Sequence, residues 1–203
     1  MGQSETSLGG LLALCLAAAI PIAAAQAESA VPFELSQKFV TEHKVKSLVG
    51  PSVQVDEQGQ VSLAWMEEDK DVRSVLYARS AEAGGPMGAP VRINRPEDVP
   101  YWRQEAPALV VQGEDVFVTW GLAHPKATPQ QPFATELRLS RSIDGGKTFQ
   151  PSVAVNDDPG VIQHTFDALH RDADGRLHLS WIDGREGKKE PGTYVARSLD
   201  RGA

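Results

Sequence analysis

The sequence predicts an all-β chain assembled from four-stranded antiparallel units, the blades of a β-propeller, here incomplete. Three observations carry that expectation. Short alternating runs rich in Val, Leu and Trp recur around Gly-containing turns. Trp65, Trp120 and Trp181 close corresponding runs at a period of roughly 60 residues, which suits a four-stranded repeat. An octapeptide, Ser142-Ile143-Asp144-Gly145-Gly146-Lys147-Thr148-Phe149, recurs in step with them.

In chain order, residues 28–49 are a polar lead-in, with 34–46 read as a short helix or an edge strand. The first hairpin joins 51–55 to 61–65 across a turn at 56–60. The second joins 107–111 to 116–120, and the third joins 166–170 to 177–181. A third strand follows in each unit, at 75–80, 136–142 and 193–198, and a fourth at 89–93 and 151–155. The blades therefore run over 50–95, 106–157 and 166–203, the last truncated. No amphipathic helix is evident beyond Gly50.

The octapeptide is turn chemistry. Ser142 and Asp144 can hydrogen-bond nearby backbone, Gly146 tolerates positive φ, and Phe149 pins the turn to the core. Ser80, Glu82, Gly84 and Met87 repeat the offsets in weaker form. Ser198, Asp200 and Gly202 begin a third copy that stops at Ala203.

The 203 residues carry 20 Lys and Arg against 27 Asp and Glu, a net charge of −7. An acidic chain without a basic cluster argues against nucleic acid and anionic membrane surfaces as partners. Residues 8–25 are almost wholly apolar or small, and Ala25-Gln26-Ala27 offers a small-x-small cleavage pattern, so 1–27 reads as an export signal. A membrane anchor is the competing reading, and the absence of Lys or Arg before Leu8 is a departure from the signal pattern. The expectation is a secreted or periplasmic protein with no stable membrane span once the signal is cleaved. Cys15 is the single cysteine and lies inside that signal, so disulfides and thiolate sites are excluded for the mature chain. Neither a cofactor nor a metal is expected.

On these repeats the chain resembles the sialidase-type β-propellers with Asp-box (BNR) repeats. Ser142 to Phe149 is the full box, and the Trp181-Ile182-Asp183-Gly184-Arg185 segment resembles one common after the second strand of such repeats. The resemblance implies six blades when complete, so the chain reads as an N-terminal fragment of about three. It also implies an active site that needs an arginine triad, an Asp acid/base and a Tyr paired with Glu. The nearest arginine string, Val91-Arg92-Ile93-Asn94, falls in a fourth strand and lacks the family's proline. No catalytic residue carries over.

In an up-and-down meander, the strand 1–2 and 3–4 turns share one face of the blade. The 2–3 loops and blade-to-blade connections share the other. Long loops on a rigid scaffold usually carry function, and here they are read at 66–74, 121–135, 182–192, 94–106 and 156–165. Tyr101, Trp102, Arg103 and Glu105 form the densest cluster, with aromatics to stack on sugar and charges to fix hydroxyls or a carboxylate. Asp183 and Arg185 either bind an acidic ligand or brace their loop. His164, with Asp167, suits acid/base work near a central channel. The run Glu67-Glu68-Asp69-Lys70-Asp71 reads as a solvated loop, and Asp172 and Asp174 as hairpin residues. Two functions follow: a propeller that binds a glycan or other cell-surface ligand, or an exo-sialidase or related glycoside hydrolase. In either case the partner is a carbohydrate or a cell-surface ligand.

Overall fold

Three sheets in sequence build the chain, each an antiparallel meander. The computed structural model describes residues 47–101, 105–185 and 191–200, all within the compact unit Gln37–Ala203. The first sheet orders β1 (Ser47–Val55), β2 (Val61–Asp69), β3 (Val72–Arg79) and β4 (Val91–Arg92) side by side. The second repeats the order with β5 (Ala108–Gln112), β6 (Asp115–Ala123), β7 (Thr135–Ser142) and β8 (Val153–Ala154). The third holds β9 (His164–Arg171), β10 (Leu177–Asp183) and β11 (Gly192–Arg197). The architecture is an incomplete β-propeller. Among the described residues no helix is long and apolar enough to cross a membrane. The segment 1–27 with Cys15, the 34–46 segment and Gly202 lie outside the described residues.

Strand alternation explains how the blades stack. Ala64 and Met66 of β2, with Val75 and Tyr77 of β3, project from one face of the first sheet. They meet Leu109 of β5 and Val116, Val118 and Trp120 of β6. Val110 and Phe117 on the opposite face of the second sheet meet Leu177. Leu137 continues that seam against Leu179 and Trp181. The inner strands β1 and β5 are also joined directly, by Val111 N donating to Gln54 Oε1 at 3.0 Å.

The three tryptophans occupy mid-strand positions rather than strand ends, because β2, β6 and β10 all run past them. The expected loop at 66–74 is largely strand. The β2–β3 hairpin turns tightly on Lys70 and Asp71, both at positive φ (46° and 66°). Glu67 and Glu68 are therefore buried strand residues rather than part of a solvated loop. The fourth strands are shorter than their sequence runs, since Pro90 and Pro151 cannot donate to the ladder. β1 begins at Ser47 rather than at Gly50.

The Ser142–Phe149 turn shows the bonding its residues suggest. Ser142 Oγ donates to Asp144 Oδ1 at 2.7 Å and accepts from the Gly146 amide at 2.8 Å. Asp144 accepts from the Thr148 amide at 2.9 Å and the Thr148 hydroxyl at 2.6 Å. Phe149 reaches across to the first blade and meets the Tyr77 ring edge-on at 5.5 Å. Charge pairs stitch the rest of this face. Arg79 bonds Asp56 and the Gly113 carbonyl, while Arg141 and Arg171 both reach Asp115. In the other two blades, Ser80 and Ser198 each accept a hydrogen bond through Oγ from the start of the second strand, at Val61 and Leu177.

Candidate functional site

The opposite face is built from the blade connections. After each fourth strand an asparagine replaces the missing ladder partner. Asn94 Oδ1 accepts from the Val75 amide at 2.8 Å, and Asn156 Oδ1 accepts from the Leu137 amide at 2.9 Å. The repeat Val91-Arg92-Ile93-Asn94 and Val153-Ala154-Val155-Asn156 is a sequence signal for this device. Arg92 accordingly belongs to the blade edge, where it reaches the Arg73 carbonyl at 3.3 Å. From Asn94 the chain runs on to Tyr101, whose amide donates to the Gly121 carbonyl at 2.7 Å. Tyr101 and Glu105 are both buried there, while Trp102 and Arg103 lie outside the described residues.

Strand β9 carries a bulge at the level of Glu105. Ser180 pairs with Ala168 and Ile182 with Thr165, so Phe166 and Asp167 together oppose Trp181. Phe166 takes a left-handed backbone at φ 55°, an arrangement that costs an aromatic residue about 1–2 kcal/mol. Phe166 is 60% exposed, whereas Asp167 turns inward and accepts a hydrogen bond from Thr119 of the neighbouring blade. A matching irregularity lies between Val49 and Ser52 of β1, opposite Trp65.

The bulge brings two carboxyl groups together across the blade seam. Burial pushes Glu105 up to about 7, the Asp167 charge adds to the rise, and the hydrogen bond from the Phe166 amide only partly opposes it. Burial also raises Asp167, against the lowering effect of the Thr119 hydrogen bond. Glu105 Oε2 is buried and has no hydrogen-bond partner among the described residues. Glu105, raised to about 7 beside a second carboxyl that is also raised, can hold and release a proton near neutral pH.

Beside this pair lies a second polar network. His164 is fully buried. Its Nδ1 faces the Thr135 carbonyl and its Nε2 faces Asp158 Oδ2, each at 2.5 Å. Asp183, also fully buried, accepts from Trp181 Nε1 at 2.9 Å and from the Arg185 guanidinium at 2.8 Å. Burial works to raise the Asp183 carboxyl, and the Arg185 and Trp181 hydrogen bonds outweigh it, so the group sits below the ordinary range. Arg185 also reaches Asp157 at 2.8 Å and lies 4.2 Å from the Tyr194 ring centroid. Asp158, His164 and Asp183 hold donor atoms within 4.8 Å of one another, but the Arg185 guanidinium already sits among their carboxylates. The arrangement is an internal brace between two blades. Sequence reasoning linked His164 to Asp167; the structure gives them different partners, His164 with Asp158 and Asp183 and Asp167 with Thr119 of the neighbouring blade.

No protein-family model and no curated protein sequence matches the chain. Solved structures do. A family 117 glycoside hydrolase from Zobellia galactanivorans matches with TM-score 0.54 at 12% identity, over 77% of this chain and 54% of its own. An α-L-arabinofuranosidase from Fusarium graminearum, solved with an iminosugar inhibitor, matches with TM-score 0.54 at 11% identity, over 75% and 47%. An α-L-arabinanase from Penicillium chrysogenum, complexed with arabinobiose, matches with TM-score 0.50 at 13% identity, over 75% and 46%. The chain thus spans about half the length of these structures. At such identities the likeness concerns the fold: these are β-propeller glycoside hydrolases, and the sialidase resemblance of the repeats finds no support among them.

Proposed function

We propose that the chain is part of an exported β-propeller that binds carbohydrate on the face opposite the Ser142–Phe149 turn. The observation that carries this reading is the β9 bulge, which sets an exposed aromatic, Phe166, beside the buried Glu105 and half-buried Asp167 carboxyls. Aromatic faces stack on sugar rings, and carboxyls bond sugar hydroxyls. The glycan-acting neighbours support a carbohydrate ligand, and the apolar segment at 8–25 supports export. The test is Phe166→Gly. It relieves the left-handed backbone and leaves the core alone, so the unfolding midpoint should hold while retention on a glycan array falls at least tenfold. Unchanged retention would remove Phe166 from the site.

A second reading is favoured by the pair itself. A carboxyl that titrates near pH 7 next to another carboxyl suits a general acid in glycoside hydrolysis. Release of dye from arabinofuranoside and sialoside substrates by the intact protein checks it. Activity abolished by Glu105→Gln would support hydrolysis, and no turnover from folded protein would leave binding alone.

A further inference from the structure

The outer edges of the first two blades are closed by matching seven-residue runs, Gly88-Ala89-Pro90-Val91-Arg92-Ile93-Asn94 and Gln150-Pro151-Ser152-Val153-Ala154-Val155-Asn156. The first amide of each donates to the carbonyl just before the serine of the turn, Gly88 to Arg79 at 2.9 Å and Gln150 to Arg141 at 2.8 Å. The middle pairs with the third strand, Val91 opposite Tyr77 and Val153 opposite Leu139. The end clamps one residue from both sides. Ile93 N donates to the Val75 carbonyl at 2.8 Å, while Asn94 Oδ1 accepts from the Val75 amide at 2.8 Å. Val155 and Asn156 hold Leu137 in the same way, each at 2.9 Å.

The third blade has the receiving half of this arrangement. Val75, Leu137 and Thr193 stand five residues before Ser80, Ser142 and Ser198, and pair with Met66, Gly121 and Ile182 of their second strands. Thr193, Val195 and Arg197 therefore turn their main-chain groups away from β10, as Val75, Tyr77 and Arg79 turn theirs away from β2. β11 is the edge strand of its sheet, and among the described residues nothing hydrogen-bonds its outer side. By the same offsets residues 201–203 match 145–147, which precede the seven-residue run in the second blade.

We infer that the outer edge of β11 is a docking site for an extended peptide strand of the form Val-x-Val/Ile-Asn, whose asparagine takes the Thr193 amide. Main-chain pairing along an open edge supplies affinity for any extended strand. Selectivity comes from the last position, where a side-chain carbonyl in line with the ladder accepts from an amide that the strand itself does not reach. The apolar residue before the asparagine adds packing. Ile93 packs with Val75 and Tyr77 in the first blade, and Val195, at the Tyr77 position, is 69% exposed. A second copy of β11 is a poorer occupant, because Gly192–Arg197 contains no asparagine to supply the clamp.

The experiment adds a capped synthetic peptide with the sequence of residues 150–156 to the intact chain at millimolar concentration and follows amide hydrogen exchange residue by residue. Thr193 and Val195 amides should exchange at least tenfold more slowly with the peptide than without it. A peptide carrying Asn156→Ala should lose the protection at Thr193. Val195→Pro in the chain removes an outward N–H at an edge position that tolerates proline, so it should abolish docking while exchange in β9 and β10 stays as in wild type. No protection by the peptide would overturn the proposal, as would docking that survives Val195→Pro. Equal protection by the Asn156→Ala peptide would overturn the asparagine requirement. Protection without peptide that grows with protein concentration would show that a second copy occupies the edge instead.

Discussion

Gly146 packs against Tyr77 so closely that a Cβ at Gly146 would lie 2.0 Å from the Tyr77 ring. One residue belongs to the second blade's turn and the other to the core face of the first. The turn is thus a joint between blades as well as the end of a hairpin.

Gly146→Ala should therefore destabilise strongly. The new methyl meets a buried ring on a backbone already at φ 87°, and overpacking with a left-handed non-glycine residue costs about 3 kcal/mol. Gly145→Ala meets mainly the flexible Glu114 carboxylate and should cost about 1 kcal/mol. Urea unfolding of the two variants would rank them. Equal midpoints would show that the Tyr77 contact is not rigid.

Asp183→Ala should loosen the seam between the second and third blades. It strips the acceptor from Trp181 Nε1 and leaves the Arg185 guanidinium without its buried partner. Removing one member of such a pair costs about 3 kcal/mol. Hydrogen exchange should speed up in β10 and leave β2 and β3 unchanged. Uniform acceleration would mean that the blades unfold as one unit.

Glu105 gives stability a pH dependence of unusual sign. Its carboxyl lies at about 7 when folded against 4.5 for an ordinary glutamate, so the folded state holds the proton more tightly. The contribution is complete below pH 4.5 and is lost as pH rises through 7. Glu105→Gln should remove that loss, making the variant more stable than wild type at pH 8 and less distinct from it at pH 4. A constant difference between the two across this range would refute the assignment.

Asp172 works in the opposite sense. The hydrogen bond from His178, helped by the Arg176 amide, lowers its carboxyl from 3.8 to about 2. Its stabilisation is present above pH 3.8 and fades as pH falls through 2. Melting temperatures recorded from pH 5 down to pH 2 should fall more steeply for wild type than for Asp172→Asn.

Turns and strands were legible because their chemistry is local. Gly59, Gly113 and Gly175 stand at positive φ in the three expected 1–2 turns, and the paired runs around them form as spaced. The β2–β3 hairpin was misread for the same reason. Lys70 and Asp71 adopt left-handed backbone without a glycine to announce it, and Glu67 and Glu68 resemble a polar loop although both are buried in strand. The Glu105–Asp167 pair was not legible as a pair. It depends on blade packing and on two residues standing against one at Trp181, neither of which has a periodic signature. Of the sequence candidates, Asp183 and Arg185 meet each other, His164 joins their network, and Tyr101 and Glu105 share the buried start of the second blade.

The inner-strand irregularity has an architectural consequence. Opposite Trp65 it leaves Gly50 and Pro51 unpaired, and opposite Trp181 it leaves Phe166 and Asp167, while Ala106 sits 3.9 Å from the site of a Cβ on Gly50. The first and third blades thereby each carry a two-residue slot opposite the corresponding tryptophan whose occupants the ladder does not dictate. Gly50 in the first blade and Phe166 in the third hold the same place opposite their tryptophans, so the residue there can change from no side chain to a full ring while the flanking strand pairs stay as they are.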